Sequence, residues 1–279
     1  MLNGAVAGEL RLRIGVREAR SVAVEQFHAG ALRVVRPHYL DGSGQVCYTA
    51  INPGGGYLGG DRYEFHLEVC AGASLLFTSQ AATKVYRTPT EPARQHAEIR
   101  LGPNAVLESL PDQLIVYREA SYEQTTRVEV HPTATYIAAE VITPGWAPEG
   151  SHFGYRRAVL RTEIHRPGSP DAVLVDALVL EPAASELTGL GGLDGNTHLG
   201  SLLVVDRRVD AELIDAINDC CDAAEGQGLL AGVSLAPGPA VVLRVLGSDT
   251  ASVTGLLLQV DALLRRRWFN QDHVDLRKC

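Results

Sequence analysis

Short runs of alternating apolar and polar residues dominate the first two-thirds of the chain. In the run ELRLRIGVR, apolar residues at every second position from Leu10 to Val16 alternate with arginines and a glycine. This is the period of a half-buried β-strand. Similar runs are SVAVEQF, QVCYTAI, RYEFHLEV, ASLLFTS, HAEIRL, LIVYRE, QTTRVEV and AVLRTEIHR. The breaks between them are rich in Gly, Pro, Asn and Asp, at the spacing expected of stacked antiparallel sheets.

The last third of the chain contains two helical patterns. Over residues 210–225 apolar residues recur every three or four positions, and Gly226 is placed to cap the helix end. A longer stripe with the same period covers residues 249–268, where Ser248 or Asp249 can cap the start. The run AVVLRVLG between the two patterns predicts a strand.

These patterns predict one mainly β (α+β) domain spanning residues 1–279, with stacked antiparallel or mixed sheets and two helices in its C-terminal half. No long helix separates the earlier strands, which excludes a doubly wound α/β fold. The glycine-rich segment 188–200 has two interpretations, a mobile loop or a plain connector.

Charge and composition narrow the function classes. The 279 residues carry a formal net charge of −8, which argues against a nucleic-acid or anionic-membrane binder. The dense basic run LRRR, 264–267, ends the second predicted helix, where cations complement the helix dipole. The N-terminus lacks the features of a secretion signal, and no run of about 18 apolar residues exists. A soluble cytoplasmic protein with reduced cysteines is expected, with no nucleic acid and no membrane among its partners.

A G-x-G-x-x-G pattern at Gly54, Gly56 and Gly59 raises the possibility of a dinucleotide loop. Such a loop needs a helix directly after it, because the helix N-terminus holds the phosphates. The residues that follow, from Arg62 to Val69, instead alternate as a strand does. We therefore expect the loop to open a strand and to bind no nucleotide.

Two local groups can carry chemistry. Glu64, His66 and Glu68 share a strand face, with Asp61 just before them, and can offer two ligands to nickel, zinc or manganese if a neighbouring strand supplies a third. The other interpretation is a solvated polar face. The segment SQAATKVYRT, 79–88, concentrates hydrogen-bond donors and an aromatic side chain, as expected of a partner-binding surface, a polar channel wall or an ordinary strand end. No motif of hydrolytic catalysis is present, so a stand-alone metal-dependent hydrolase is only the alternative function.

The segments NPGGGYLGGD, SQAATKVYRT, LESLPDQLIVYREASYEQ and GVSLAPGPAVVLRVLGSDT occur in this order. Together they resemble the urease accessory protein D family, also called UreD or UreH, over most of the chain. The resemblance implies a cytosolic scaffold without enzymatic activity, built as an elongated, β-helix-like pile of sheets. It also implies binding to accessory protein F, recruitment of the accessory GTPase G, and docking on apo-urease to deliver nickel.

The same resemblance implies an internal, water-filled passage for nickel and no tightly bound cofactor. By motif, Asp61 and Thr83 fall where passage-lining residues are expected, and Asp176 or Glu181 is a third candidate. The residues expected to bind partners or line the passage are Asn52, Gly55, Gly56, Gly59, Gly60, Asp61, Gln80, Thr83, Lys84, Tyr86 and Arg87; those expected to bind nickel transiently are Asp61, Glu64, His66, Asp176 and Glu181.

One segment departs from the family pattern. After the AAEVI strand this chain has Trp146 where the resemblance predicts an arginine, and Ser151 where it predicts a glutamate. Contacts that those charges would make are therefore not expected here.

Overall fold

The computed structural model describes residues 6–236 and 238–276. Within these residues the strands form two sheets, sheet A of seven strands and sheet B of ten. Sheet A contains β1 (Val6–Arg17), β2 (Arg20–Gly30), β5 (Arg62–Val69), β8 (Ala93–Leu101), β11 (Ser121–Val130), β13 (Arg157–His165) and β14 (Ala172–Leu180). Sheet B contains β3 (Arg33–Val34), β4 (Val46–Ile51), β6 (Ser74–Ser79), β7 (Thr83–Val85), β9 (Val106–Ser109), β10 (Leu114–Val116), β12 (Thr135–Ile142), β15 (His198–Val205), β16 (Leu230–Ala236) and β17 (Ala240–Gly247). The helices are α1 (Ala211–Glu225) and α2 (Thr250–Phe269).

The chain passes back and forth between the two sheets and extends each in turn. Strands β1, β5, β8, β11 and β13 run parallel in sheet A, and β4, β6, β9 and β12 run parallel in sheet B. Antiparallel pairs lie toward the sheet ends, as between β13 and β14 or β15 and β17. The predicted fold class is confirmed, with mixed sheets. The spacing of the turns predicts antiparallel pairing. At the centre of each sheet the strands pair in parallel instead, because most turns lead into the opposite sheet.

The apolar rows of the strands meet between the sheets. On β5 the side chains of Tyr63, Leu67 and Val69 are buried in this core, whereas Glu64 and His66 on the alternate positions face outward and stay partly exposed. This is the alternation predicted for the segment. The loop with the G-x-G-x-x-G pattern therefore opens a strand, as expected.

Both helices pack on the other face of sheet B. Val253, Leu257 and Val260 of α2 join Leu243 and Val245 of β17 in a second apolar core. Strand β15 is consequently buried on both faces, with a helix on one side and sheet A on the other. A strand covered on both faces needs no polar row, so alternation does not reveal it.

A buried ionic cluster ties α2 to the first strands of sheet B. The guanidinium of Arg265 lies 2.6 Å from Glu108 and 2.7 Å from Asp41, and it also donates to the side chain of Gln45. Arg265 and Glu108 are both fully buried. The side chain of Asp261 is buried beside them, and burial followed by the Glu108 charge raises its pKa well above the usual range. The run LRRR does lie at the end of α2, with Arg266 and Arg267 in its last turn as expected, but Arg265 is buried in this cluster.

Several smaller expectations are settled by the structure. Asp249 caps α2 by accepting from the backbone amide of Ser252, and Gly226 directly follows α1. The segment 188–200 is more than a loop, because β15 begins at His198. No disulfide occurs among the described residues, and Cys279 lies outside them. In the described part of the chain, no helix combines the length and apolar character needed to cross a membrane.

Candidate functional site

A polar cavity of about 150 Å³ lies between the two sheets. Sheet A contributes Gln95, Gln124, Thr126, Thr162 and Asp176 to its wall, together with apolar side chains such as Phe65 and Leu67. Sheet B contributes Thr78, Ser79, Thr83, Ser109, Glu140 and Ser201. A core position normally takes an apolar side chain. A row of amides, hydroxyls and carboxylates between the sheets therefore indicates a structural or functional requirement.

A chain of hydrogen bonds runs along the cavity wall. The hydroxyl of Tyr57 donates to Gln95 Oε1 at 2.7 Å, and Gln95 Nε2 lies 3.4 Å from Gln124 Oε1. The hydroxyl of Tyr122 donates to the same Gln124 oxygen at 2.9 Å, and Gln124 Nε2 donates to Glu140 Oε1 at 2.6 Å. These contacts satisfy polar groups that would otherwise be costly to bury.

The parallel register explains why the polar side chains form rows. Gln95 on β8 pairs with Gln124 on β11, and Thr126 on β11 pairs with Thr162 on β13. In a parallel sheet, residues in register point to the same face. The inward polar residues build a polar strip that shifts by two residues on β11, which contributes both Gln124 and Thr126. The strip crosses the molecule from β8 to Asp176 on β14.

Glu140 is the acidic group with the most perturbed ionisation in this cavity. Burial raises its pKa to about 7, the hydrogen bond from Gln124 opposes that rise, and the charge of Asp176 adds to it. Glu140 is partly accessible and lines the cavity. Glu140 therefore changes charge near neutral pH, as groups at functional sites often do.

A second cavity, of about 290 Å³, adjoins the first at its β7 end. The two share Ala50, Tyr57, Phe65, Ser79 and Thr83 in their walls. Its remaining wall contains five of the residues expected from the motifs, namely Asn52, Gly55, Gly56, Gln80 and Lys84. Thr83, predicted to line a passage, lies at the junction. The two cavities therefore adjoin each other, and the second extends to the glycine loop.

Glycine is required at one position where the loop meets β7. A Cβ on Gly56 would lie 2.7 Å from the carbonyl oxygen of Lys84 and from the ring of Tyr86. The amide of Tyr57 donates to that same carbonyl at 2.7 Å, and the hydroxyl of Tyr86 donates to the Gly55 carbonyl at 3.3 Å. The two sequence motifs thus pack directly against each other.

Asp61 holds the base of this loop. Its Oδ2 accepts from the amide of Leu58 at 2.8 Å and from the hydroxyl of Tyr63 at 3.3 Å. Tyr63 stacks on Tyr57 with ring centroids 3.7 Å apart, and burial raises the Tyr63 pKa to about 12. Among the described residues, the walls of the two cavities do not include Asp61. Its carboxylate positions Tyr63, which in turn stacks on Tyr57 in the cavity wall.

The other predicted metal ligands are divided between the interior and the surface. Asp176 lines the cavity, whereas Glu181 is exposed and lies 3.8 Å from Arg157. Glu64 and His66 lie on the outer face of sheet A, 3.6 Å apart, and His66 is 3.8 Å from Glu98. Within residues 6–236 and 238–276, no three His, Cys, Asp or Glu side chains are arranged to hold a metal ion.

The remaining predicted residues lie on the surface near the loop. Tyr86, Tyr117 and the half-exposed Trp146 form an aromatic row with successive ring centroids 5.0 Å apart. Arg87 pairs with Glu119 at 2.6 Å. Gly59 and Gly60 lie in the turn beside Glu91, and Ser151, the second departure from the family pattern, donates to Glu149. The segment SQAATKVYRT therefore contributes both to a cavity wall and to an exposed surface.

Sequence reasoning missed Gln95, Gln124, Glu140 and Arg244. Each except Arg244 has a visible signal, because it is a polar residue in a row of inward-facing, largely apolar positions. On β11, for example, Tyr122, Gln124, Thr126, Val128 and Val130 alternate inward, so Gln124 interrupts an otherwise largely apolar row.

The fold and the cavity define a class of protein: two stacked, mainly parallel sheets that enclose a polar space and carry two helices on one outer face. A family model described as UreD urease accessory protein matches residues 6–278. The chain belongs to this family, as its motifs predict.

Individual relatives agree with the family match. "Urease accessory protein UreD" of Actinomyces naeslundii is 52% identical over 274 residues, which cover 98% of this chain and 99% of the relative. The protein of the same name from Arthrobacter sp. (strain FB24) is 50% identical, with 97% and 94% covered. A more distant one from Bacillus cereus (strain ATCC 10987 / NRS 248) is 31% identical, with 97% and 98% covered.

Proposed function

We propose that this protein is a non-enzymatic maturation factor for urease, and that nickel bound for the urease active site passes through its polar cavity. The observation that carries this proposal is the pair of adjoining cavities that together extend from the glycine loop to Glu140 and Asp176, with polar side chains along their mixed walls. These walls offer oxygen ligands at intervals rather than a closed set of ligands. Transit through a protein needs such sites, because an ion must be able to leave each one.

The surface around the glycine loop supports binding to partner proteins. The aromatic row of Tyr86, Tyr117 and Trp146 is flanked by the Arg87–Glu119 ion pair, and aromatic and arginine side chains are enriched in protein interfaces. We infer that accessory protein F binds the chain in the cytoplasm, that the pair recruits GTPase G, and that the assembly docks on apo-urease. Nickel is then the cargo and not a resident cofactor.

The chemistry of nickel in this cavity follows from its walls. Ni²⁺ accepts carboxylate, carbonyl and hydroxyl oxygens, although imidazole suits it better. Glu140 supplies a carboxylate that is ionised above its pKa of about 7, and the Gln124 and Ser201 side chains supply neutral oxygens. No arrangement in the described part of the chain favours the hydrolase alternative.

The test replaces one carboxylate inside the cavity and one outside it. Glu140→Leu removes the charge and fills part of the cavity, while Glu123→Leu makes the same change on the outer face of β11, where Glu123 pairs with Arg94. Each variant is co-expressed with accessory proteins F and G and apo-urease. We expect both to assemble, as judged by size-exclusion chromatography, and only Glu140→Leu to lower urease activation, by about tenfold for a lost interaction of about 1.4 kcal/mol.

Two results would count against the proposal. Normal activation by an assembled Glu140→Leu complex would show that nickel does not pass Glu140. Equal losses in both variants would show that the effect does not come from the cavity.

A further inference from the structure

The side chain of Arg244 reaches from β17 to the cavity wall. Its Nη1 donates to the hydroxyl of Ser201, and its Nη2 donates to the carboxylate of Asp176. Ser201 and Asp176 both line the cavity, one from each sheet. Of the three carboxylates that line the cavity, Asp112, Glu140 and Asp176, the guanidinium of Arg244 therefore pairs with Asp176.

Arg244 belongs to the same electrostatic group as Glu140. In sheet B, Glu140 is in register with Ser201, and Ser201 is in register with Arg244. The charge of Asp176 raises the pKa of Glu140, and the charge of Arg244 lowers it. Two carboxylates and one guanidinium thus influence one another across the cavity.

The affinity of Glu140 and Asp176 for a divalent cation depends on whether the guanidinium of Arg244 is present. Glu140 and Asp176 without it would offer two negative oxygen ligands, and affinity for a hard divalent cation rises with the number of charged ligands. With the guanidinium in place, Asp176 is already neutralised and a further positive charge is repelled. The guanidinium and the Asp176 carboxylate are only partly exposed, so the Coulomb interaction between them is stronger than it would be in bulk water.

We propose that Arg244 acts as a built-in counter-ion that prevents the cavity from retaining nickel. A Ni²⁺ ion at Glu140 gains Asp176 as a second charged ligand only when the guanidinium moves away, so Arg244 keeps the ion weakly held and mobile. This inference rests on the proposed function, since it concerns release of an ion that the cavity transmits. If Arg244 only held the two sheets together, removal of its charge would not raise the affinity for Ni²⁺.

The test measures Ni²⁺ affinity of the complex with accessory protein F by equilibrium dialysis, at a pH above the Glu140 pKa of about 7. Arg244→Gln keeps a donor for Ser201 but removes the charge. We expect it to bind Ni²⁺ more tightly than the parent complex by about tenfold or more, as one added carboxylate ligand implies. The double variant Arg244→Gln with Asp176→Asn should return to weak binding, and the matched outer-face change Arg161→Gln should have no effect.

Ser201→Ala provides a milder variant, should Arg244→Gln fail to assemble. It removes one of the two anchors of the guanidinium, so we expect a smaller rise in Ni²⁺ affinity. Unchanged or weaker Ni²⁺ binding in either assembled variant would overturn the counter-ion role.

The parallel measurement on Glu140→Gln separates this role from the proposed function. If Glu140→Gln weakens Ni²⁺ binding while Arg244→Gln does not strengthen it, the passage stands and Arg244 is only structural. If neither variant changes Ni²⁺ binding, both the counter-ion role and the passage through this cavity are wrong.

Discussion

The outer face of sheet A and the interior of the molecule carry similar polar side chains in very different surroundings. On the outer face, Arg13 pairs with Glu68 at 3.1 Å and Arg161 with Glu163 at 2.7 Å, all of them partly or largely exposed. In the interior, the Gln95–Gln124–Glu140 chain is enclosed and bonded through specific atoms.

This difference separates polar residues that the fold or the function requires from polar residues that water alone can satisfy. Water satisfies an exposed charge without help from the protein, so an exposed ion pair contributes little to folding. An enclosed polar group is costly unless its partners are in place, so its presence indicates a structural or functional requirement. Three experiments test this contrast, beginning with the largest expected effect.

Removing the buried guanidinium should destabilise the protein strongly. Arg265→Leu leaves the fully buried Glu108 without its cation, and we expect the free energy of unfolding to fall by about 3–5 kcal/mol. Arg13→Leu on the outer face should change it far less, because solvent already screens that exposed ion pair. Urea denaturation of both variants measures the difference. The double variant Arg265→Leu with Glu108→Leu should recover much of the loss, and a small loss in the single variant would contradict this account of the cluster.

The pH dependence of stability should reveal Glu140. Its folded-state pKa, about 7, is above the ordinary value of 4.5, so the folded protein retains a proton that the unfolded chain loses. The favourable contribution is complete below pH 4.5 and is lost as pH rises to about 7, by at most about 3 kcal/mol at 1.36 kcal/mol per pKa unit. Comparing thermal unfolding of the parent and Glu140→Gln across this range isolates the contribution. Identical pH profiles would show that Glu140 ionises normally.

Changes on the outer face should have the smallest effect. Glu64→Gln and His66→Asn remove side chains whose partners are partly exposed, so stability should change by less than about 0.5 kcal/mol. We also expect unchanged Ni²⁺ binding by equilibrium dialysis. A clear loss of Ni²⁺ binding in His66→Asn would contradict the expectation that nickel binds in the interior and not on the outer face. It would support the sequence-based prediction that Glu64 and His66 bind nickel.

Much of the fold could be predicted from the sequence because its signals are local. The stripe of α2 and its cap at Asp249 are set by neighbouring residues, as is the alternation of β5. Strand β15 could not be recognised in this way, because burial on both faces removes the alternation.

The candidate site was less predictable because it depends on register between distant strands. The motif residues Gly55, Gly56, Gln80 and Thr83 lie around one cavity, and their role in nickel transit or partner binding stays a prediction. Glu140 and Arg244 are brought to the same cavity only by pairing through β15. The burial of Arg265 could not be predicted from the run LRRR, because its partner Glu108 is 157 positions away along the chain.

The alternating path of the chain has a consequence for the order of folding. Each new strand pair lies on the preceding one, so the stack can grow from the N-terminus as the chain emerges during synthesis. The Arg265 cluster breaks that order, because the last helix reaches back to Asp41 and Glu108 in the first part of the stack. Until α2 is complete, Glu108 has no cation and one face of sheet B lacks its helical cover. The nascent protein therefore exposes an apolar surface until the end of translation, and a chaperone or a partner protein that covers it during that interval would increase the yield of folded protein.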